Sequence, residues 1–239
     1  MLYITMAEAA TATANPSASS TYYSTAALFD EIGPAYETAF AGLPEQAASI
    51  QWLLSELSKS QVQPAEILDI GCGTGRPVCS SLAAAGHSVI GIDVSAEMIK
   101  AARERVPQAT FEQLDVRDFK SPANRFDAIT VYFSMIASVT QDEIRLFIQR
   151  IHSWLKPGGS FVLATVPVAG NNIELKWMGR PTVVSSLSQE EFVAWIKQVG
   201  FEIVHEQESK FLPKAVEAGI CGPDDVWEEP HLFVYAKKK

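Results

Sequence analysis

At 239 residues, 47% of them hydrophobic and 20% charged, the chain has the size and balance of one well-buried globular domain with room for a small cap. A formal net charge of −9 repels phosphate backbones, and only the solvated-looking tail Lys237-Lys238-Lys239 runs against it, so no nucleic-acid partner is expected. The three cysteines, Cys72, Cys79 and Cys221, lack paired spacing, which argues against a disulfide framework and a metal site and fits a cytoplasmic protein.

No run is long and apolar enough to cross a membrane, so no membrane partner is expected, and the first residues lack the basic start and apolar stretch of a signal peptide. Residues 1–23 include an Ala/Ser/Thr-rich stretch from Ala7 to Ser20 that offers little apolar area against ordering entropy. They are expected to be disordered, with 24–239 as a single domain. Leu28, Phe29, Ile32 and Tyr36 predict a helix from Ser24 to Phe40, kinked at Gly33-Pro34. Ile50, Leu53, Leu54 and Leu57 predict a second from Pro44 to Leu57.

The apolar run Ile67-Leu68-Asp69-Ile70 then reads as a buried strand entering the turn Gly71-Cys72-Gly73-Thr74-Gly75. A helix from about Arg76 to Ala85 and a strand from Ser88 to Ile92, ending on Asp93, complete the front half of a nucleotide-binding βαβ unit. Gly71 and Gly73 let a ligand lie against the backbone, and the amides that follow favour an anionic group. A carboxylate at Asp93 suits the paired hydroxyls of a ribose. The dinucleotide fingerprint needs a third glycine where Arg76 stands, which disfavours a nicotinamide dehydrogenase.

Further on, Ser95 caps a helix ending near Pro107, and strands are expected over Thr110 to Leu114 and Phe126 to Tyr132. Thr140 with Glu143, and Ser188 with Glu191, are two capping boxes that open amphipathic helices. Between them Lys156-Pro157-Gly158-Gly159 reads as a turn before a strand from Ser160 to Val166. The final strands are placed at Phe201 to Glu206 and Leu232 to Ala236, with room to pair antiparallel at one edge. Strands alternating with helices imply a doubly wound, mostly parallel α/β sheet. The stretches 167–187 and 209–230 read as loop-like additions that cap a substrate site.

On three motifs in this order the chain resembles the class I S-adenosylmethionine-dependent methyltransferases, in particular the small-molecule "type 11" (UbiE-like) group. They are Leu68 through Pro77, then Gly91-Ile92-Asp93-Val94-Ser95 with Met98, then Leu155-Lys156-Pro157-Gly158-Gly159 before a strand. The resemblance implies a three-layer αβα sandwich on a seven-stranded sheet whose last strand is antiparallel. It implies S-adenosyl-L-methionine as cofactor and a small-molecule substrate of the kind met in secondary metabolism. Asp69 and the backbone of Gly71 and Gly73 would hold the amino-acid end and Asp93 the ribose hydroxyls, with Gly75 and Val94 also at the cofactor. Met98, Asp115 and Val116 would meet the adenine, although core packing explains Met98 equally well. Tyr132 and Phe133 would pass near the sulfonium, and Tyr36 would close over it.

Trp177, Met178, Arg180 and Phe133 are the substrate-side candidates, joined by Phe211 and Trp227; a solvated charge explains Arg180 equally well. Relatives often carry histidines where this chain has Ala137 and Ser186, which leaves His231 and Tyr132 as the catalytic candidates. Alignment of the reactants lowers such a barrier by ~7–11 kcal/mol, more than a base typically gives. The missing histidines therefore fit methyl transfer to an oxygen that needs little help. The other reading is a protein that keeps the pocket but binds only, or catalyses a rearrangement or cyclisation.

Overall fold

The computed structural model describes residues 22–60 and 63–239. The expectation of disorder for the first 23 residues falls outside them as far as residue 21. Tyr22 and Tyr23, by contrast, are seated: the Tyr22 hydroxyl reaches Glu174, and the Tyr23 amide donates to the Pro181 carbonyl at 3.0 Å.

The single kinked helix expected at the start is two helices, α1 (Thr25–Ile32) and α2 (Ala35–Ala39). Gly33, at φ +56°, ends α1 by donating its amide to the Phe29 carbonyl, and Pro34 restarts the chain in a new direction. Next come α3 (Pro44–Lys59), β1 (Glu66–Ile70), α4 (Val78–Ala84), β2 (Ser88–Asp93), α5 (Ala96–Arg105), β3 (Thr110–Gln113) and β4 (Phe126–Tyr132). The chain continues through α6 (Gln141–Trp154), β5 (Leu155–Thr165), β6 (Gly170–Trp177), β7 (Arg180–Ser186), α7 (Gln189–Val199), β8 (Phe201–Phe211) and β9 (Glu229–Lys238). Both capping boxes form, and Gly200 closes α7 in the left-handed conformation.

Seven strands make one sheet in the order β3-β2-β1-β4-β5-β9-β8. The first five run parallel, and β9 enters antiparallel to both β5 and β8. The antiparallel strand therefore lies inside the sheet rather than at its edge, and β8 is the edge. Glu202, Glu206 and Glu208 are exposed along β8, charges that discourage a further strand from pairing there. That polar run also hid the length of β8, which extends past Glu206 to Phe211 because β9 pairs with it throughout. The terminal lysines are not a free tail. Lys237 pairs with Glu56, and Lys238 donates to the Leu155 carbonyl at 2.8 Å and to Asn124 at 2.9 Å.

Alternation along β1 sends Ile67 to one face and Leu68 to the other. Ile67 joins a cluster with Leu53 and Leu57 of α3, Leu82 of α4 and Ile99 of α5. Leu68 joins Phe147 and Ile151 of α6 and Phe192 and Ile196 of α7. The result is a three-layer αβα sandwich. A third cluster, built from Leu28, Ile32, Met178, Ala215 and Ile220, holds α1 and the turn of a β6–β7 hairpin over the carboxyl ends of the strands. That hairpin replaces the loop expected over 167–187.

Candidate active site

The carboxyl ends of β1, β2 and β4 open into a cavity roofed by α1, α2 and the hairpin, the position where ligands enter sheets of this type. One half is built by the turn after β1 and the end of β2. Gly71, Gly73, Asp93, Val94, Met98, Asp115 and Val116 all line it. Asp93 also braces the turn. Its carboxylate accepts from the amides of Gly73 and Ser95, each at 2.9 Å. Asp115 accepts from the Arg117 amide and pairs with the Arg117 guanidinium, both at 2.8 Å. Arg117 in turn reaches Glu143 of α6 at 2.8 Å and the Ser138 carbonyl at 2.5 Å, tying the β3 end to the loop after β4.

Beside the turn a second recess is lined by Asp69, Tyr132 and Phe133. Asp69 is 2% exposed and accepts from Thr130 Oγ1 at 2.7 Å and the Cys79 thiol at 3.2 Å. Burial pushes its carboxyl up to about 6, against the lowering effect of those two bonds. Burial also raises Asp93, against three backbone N–H donors. Neither carboxylate has a Lys or Arg partner among the described residues. Two buried acids without a cation are costly, and a cationic ligand relieves them.

The other half of the cavity is apolar. Alternate residues of the hairpin face it: Ile173, Leu175 and Trp177 from β6, Thr182, Val184 and Ser186 from β7. Tyr36 sits at the junction of the two halves, edge-on to Phe29 at 5.6 Å and 6.4 Å from the Trp177 ring. Burial, then the charges of Glu229 and Asp93, drive its phenol far up, so it stays a neutral O–H. The loop after β4 closes the floor with Phe133, Met135 and Ser138 at positive φ (52°, 59° and 54°), a strained run of the kind that clusters at binding sites. Tyr132 lines the cavity, with its hydroxyl 2.6 Å from Ser49 Oγ.

Several sequence-based candidates stand elsewhere. A Cβ on Gly75 would meet Phe111 at 3.0 Å and Val106 at 3.1 Å, so this glycine serves close packing and lines neither recess. Met178 is 1% exposed inside the cap cluster, because the hairpin turn points it away from the cavity. Arg180 does not line the cavity, and its side chain is mostly buried and paired rather than solvated. It staples the cap, pairing with Glu31 at 2.9 Å and donating to the carbonyls of Met178 (2.6 Å) and Ile220 (3.2 Å). His231 is fully buried and walled off by Phe133, Phe211 and Phe40, at ring distances of 4.4, 5.8 and 6.4 Å. It does not face the cavity, and neither do Phe211 and Trp227. The residue that does is Glu229, which sequence reading missed. It is 4% exposed and accepts from the Trp177 indole at 2.7 Å.

This strand order, with a glycine turn after β1 and an acid closing β2, defines the class I S-adenosylmethionine-dependent methyltransferase fold, whose cofactor is S-adenosylmethionine. The residues present fit that group. Buried Asp69 has no cationic partner of its own to meet the amino-acid end, Asp93 offers a carboxylate to the ribose, and Gly73 leaves open space where a side chain would intrude. Residues 67–159 match the family described as a methyltransferase domain. Demethylmenaquinone methyltransferase of Symbiobacterium thermophilum is 30% identical over 146 residues, 56% of each chain. The dTDP-3-amino-3,6-dideoxy-alpha-D-glucopyranose N,N-dimethyltransferase of Streptomyces fradiae is 37% identical over 100 residues, 41% of this chain and 38% of that one. The chain thus spans about half or less of these two relatives. Among solved structures, the [4+2]-cyclase SpnF superposes with a TM-score of 0.62 at 17% identity, covering 92% of this chain and 99% of that one. No helix among the described residues is long and apolar enough to cross a membrane.

Proposed function

We propose that the protein transfers the methyl group of S-adenosylmethionine to an oxygen of an apolar small molecule. The observation that carries this reading is the two-part cavity, in which an acidic half for the cofactor adjoins a largely hydrophobic half. Asp69 and the backbone of Gly71 and Gly73 would hold the amino-acid end, Asp93 the ribose, and Met98, Asp115 and Val116 the adenine. When bound, the cofactor supplies an electrophilic methyl carbon on a good leaving group. The residues of this chain align the acceptor for in-line displacement and keep water away. Phe29, Tyr36, Phe133 and Trp177 form the desolvating wall on that side. Similarity to small-molecule methyltransferases supports the reading. The test is transfer of labelled methyl from S-adenosylmethionine into hydroxylated aromatic and quinone acceptors; no label in any acceptor overturns it.

The superposition on a cyclase keeps a second reading open, in which the cofactor pocket is retained without methylation. Tight binding of S-adenosylhomocysteine with no transfer, together with turnover of an acceptor that gains no methyl group, would favour it.

The buried acid beneath the turn gives this binding a pH signature. Because the folded protein holds Asp69 at about 6, above its ordinary value, the free protein is favoured on the acid side. That stabilisation is complete below about pH 4 and is lost as pH rises through about 6. A bound ammonium reverses the preference and expels the proton. Affinity for S-adenosylhomocysteine, measured by calorimetry, is therefore expected to fall roughly fourfold between about pH 7.5 and about pH 5.5. In Asp69→Asn the affinity should be weaker and this acid-side fall should be gone. A fall that persists unchanged in the variant would remove the ammonium from Asp69.

A further inference from the structure

We propose that the Glu229 carboxylate is the base that takes the proton of the acceptor hydroxyl. The inference rests on the methyl-transfer reading above and supplies the group that the absent histidines left unassigned.

Glu229 opens β9 opposite Phe211, at the point where the strand emerges beneath the hairpin. It is 4% exposed, yet its side chain lines the apolar half of the cavity. Burying a carboxylate there is expensive, and no lysine or arginine among the described residues offsets it. Its partners are two ring nitrogens. Trp177 Nε1 donates to Oε1 at 2.7 Å, and His231 Nε2 lies 3.3 Å from Oε2. His231 Nδ1 is buried and has no partner, which places a ring proton on Nε2, facing the carboxylate. The two donors fix the orientation of the carboxylate, and each oxygen keeps a free lone pair.

The location suits the task. Tyr36, at the junction of the cofactor and acceptor halves, has its ring 6.4 Å from that of Trp177, whose indole holds Glu229 at 2.7 Å, so the carboxylate stands close to where the two substrates meet. The surrounding wall of Phe29, Phe133 and Trp177 excludes water, so no solvent base competes. The step balances within the groups named. The acceptor oxygen forms a bond to the methyl carbon, the carbon–sulfur bond breaks with its electron pair going to sulfur, and the acceptor proton passes to Glu229. The sulfonium and carboxylate charges disappear together, leaving a thioether, a methyl ether and a neutral acid. His231 does not reach the cavity and acts only as a positioning residue behind the carboxylate.

The experiment compares the wild type with Glu229→Gln, which keeps shape and volume, on two probe acceptors. 1-Naphthol is neutral near pH 7.5 and needs a base, whereas 2-hydroxy-1,4-naphthoquinone is already ionised and does not. Transfer to 1-naphthol is expected to fall about 100-fold in the variant. Transfer to the ionised quinone should hold or rise, because a like charge has been removed beside it. Calorimetric affinity for 1-naphthol in the presence of S-adenosylhomocysteine should stay within about threefold, since the base acts mainly in the transition state. 1-Naphthol is also a photoacid, so in that complex the wild type should emit from naphtholate and the variant from the neutral form. The proposal falls if the variant matches the wild type on both probes, loses both alike, loses affinity for 1-naphthol in step with rate, or shows the same emitting form. A wild type that binds S-adenosylhomocysteine but labels neither probe removes the methyl-transfer reading, and the emission comparison still judges Glu229.

Discussion

Asp93→Ala is expected to lower affinity for S-adenosylhomocysteine by 100-fold or more, on the order of 3 kcal/mol. Two losses combine. On the proposed reading the ribose hydroxyls lose a charged acceptor, and hydrogen bonds to charged groups contribute about 1.5–3 kcal/mol each. The carboxylate also accepts from the amides of Gly73 and Ser95, so its removal frees the turn that shapes the site. Fold stability should change much less. Burial holds the Asp93 carboxyl above its ordinary value, so at neutral pH the ionised group opposes folding, and this offsets the two lost N–H bonds. The melting temperature of the free protein is expected to move by about 4 °C or less. Asp93→Asn, which keeps an acceptor oxygen for one amide, should lose about tenfold in affinity. Calorimetric titration and thermal denaturation of the three proteins check both halves. Unchanged affinity in the alanine variant would show that the acid ending β2 does not hold the ligand.

Gly71→Ala and Gly73→Ala should fail in different ways. Gly71 has φ +71°, and a Cβ there would lie 2.2 Å from Ser134 Cβ and 2.6 Å from its hydroxyl. Ser134 cannot retreat cheaply. Its hydroxyl is tied to the Ile70 carbonyl at 2.8 Å, and it stands between Phe133 and Met135, both at positive φ. Backbone strain of about 1–2 kcal/mol adds to an overlap cost of about 1–3 kcal/mol, a fall of on the order of 10 °C in melting temperature. Gly73 has φ +53° and nothing within 4 Å of its Cβ position, because that direction is the ligand cavity. Its alanine variant should melt within about 5 °C of the wild type yet bind S-adenosylhomocysteine at least tenfold more weakly. Equal stability losses in the two variants would contradict the placement of Ser134 against the turn.

The parts of the fold legible in the sequence were those whose signals are local. Glycine spacing, the Asp93 strand end and the two capping boxes depend on neighbours a few residues away, and each forms as read. The hairpin was missed because Gly170-Asn171-Asn172 and Gly179-Arg180-Pro181 look like loop punctuation, although Ile173, Leu175 and Trp177 alternate as a half-buried strand should. Side-chain direction was the harder problem. Arg180 and Met178 flank a turn whose pitch is set by α1 and by residues 215–220, far away in sequence. Nothing nearby told that both would turn inward to the cap. His231 and Glu229 lie two residues apart on one face of a strand, and the histidine looked the better catalyst. Three aromatic rings close around it and leave the glutamate, which sits in an acidic stretch typical of solvated turns, as the group at the cavity wall.

The insertion of β9 between β5 and β8 bears on how the molecule comes into being. Of the nine strands among the described residues, the one that completes the sheet is the last to be synthesised, and it brings Glu229 with it. During translation the glycine turn and Asp93 can form a cofactor cradle while the wall facing the acceptor still lacks its acid. Until β9 docks, β5 and β8 expose unsatisfied backbone along their facing edges, a liability that chaperones would have to shield. A nascent chain arrested before Glu229 should therefore capture S-adenosylhomocysteine earlier than it can carry out chemistry.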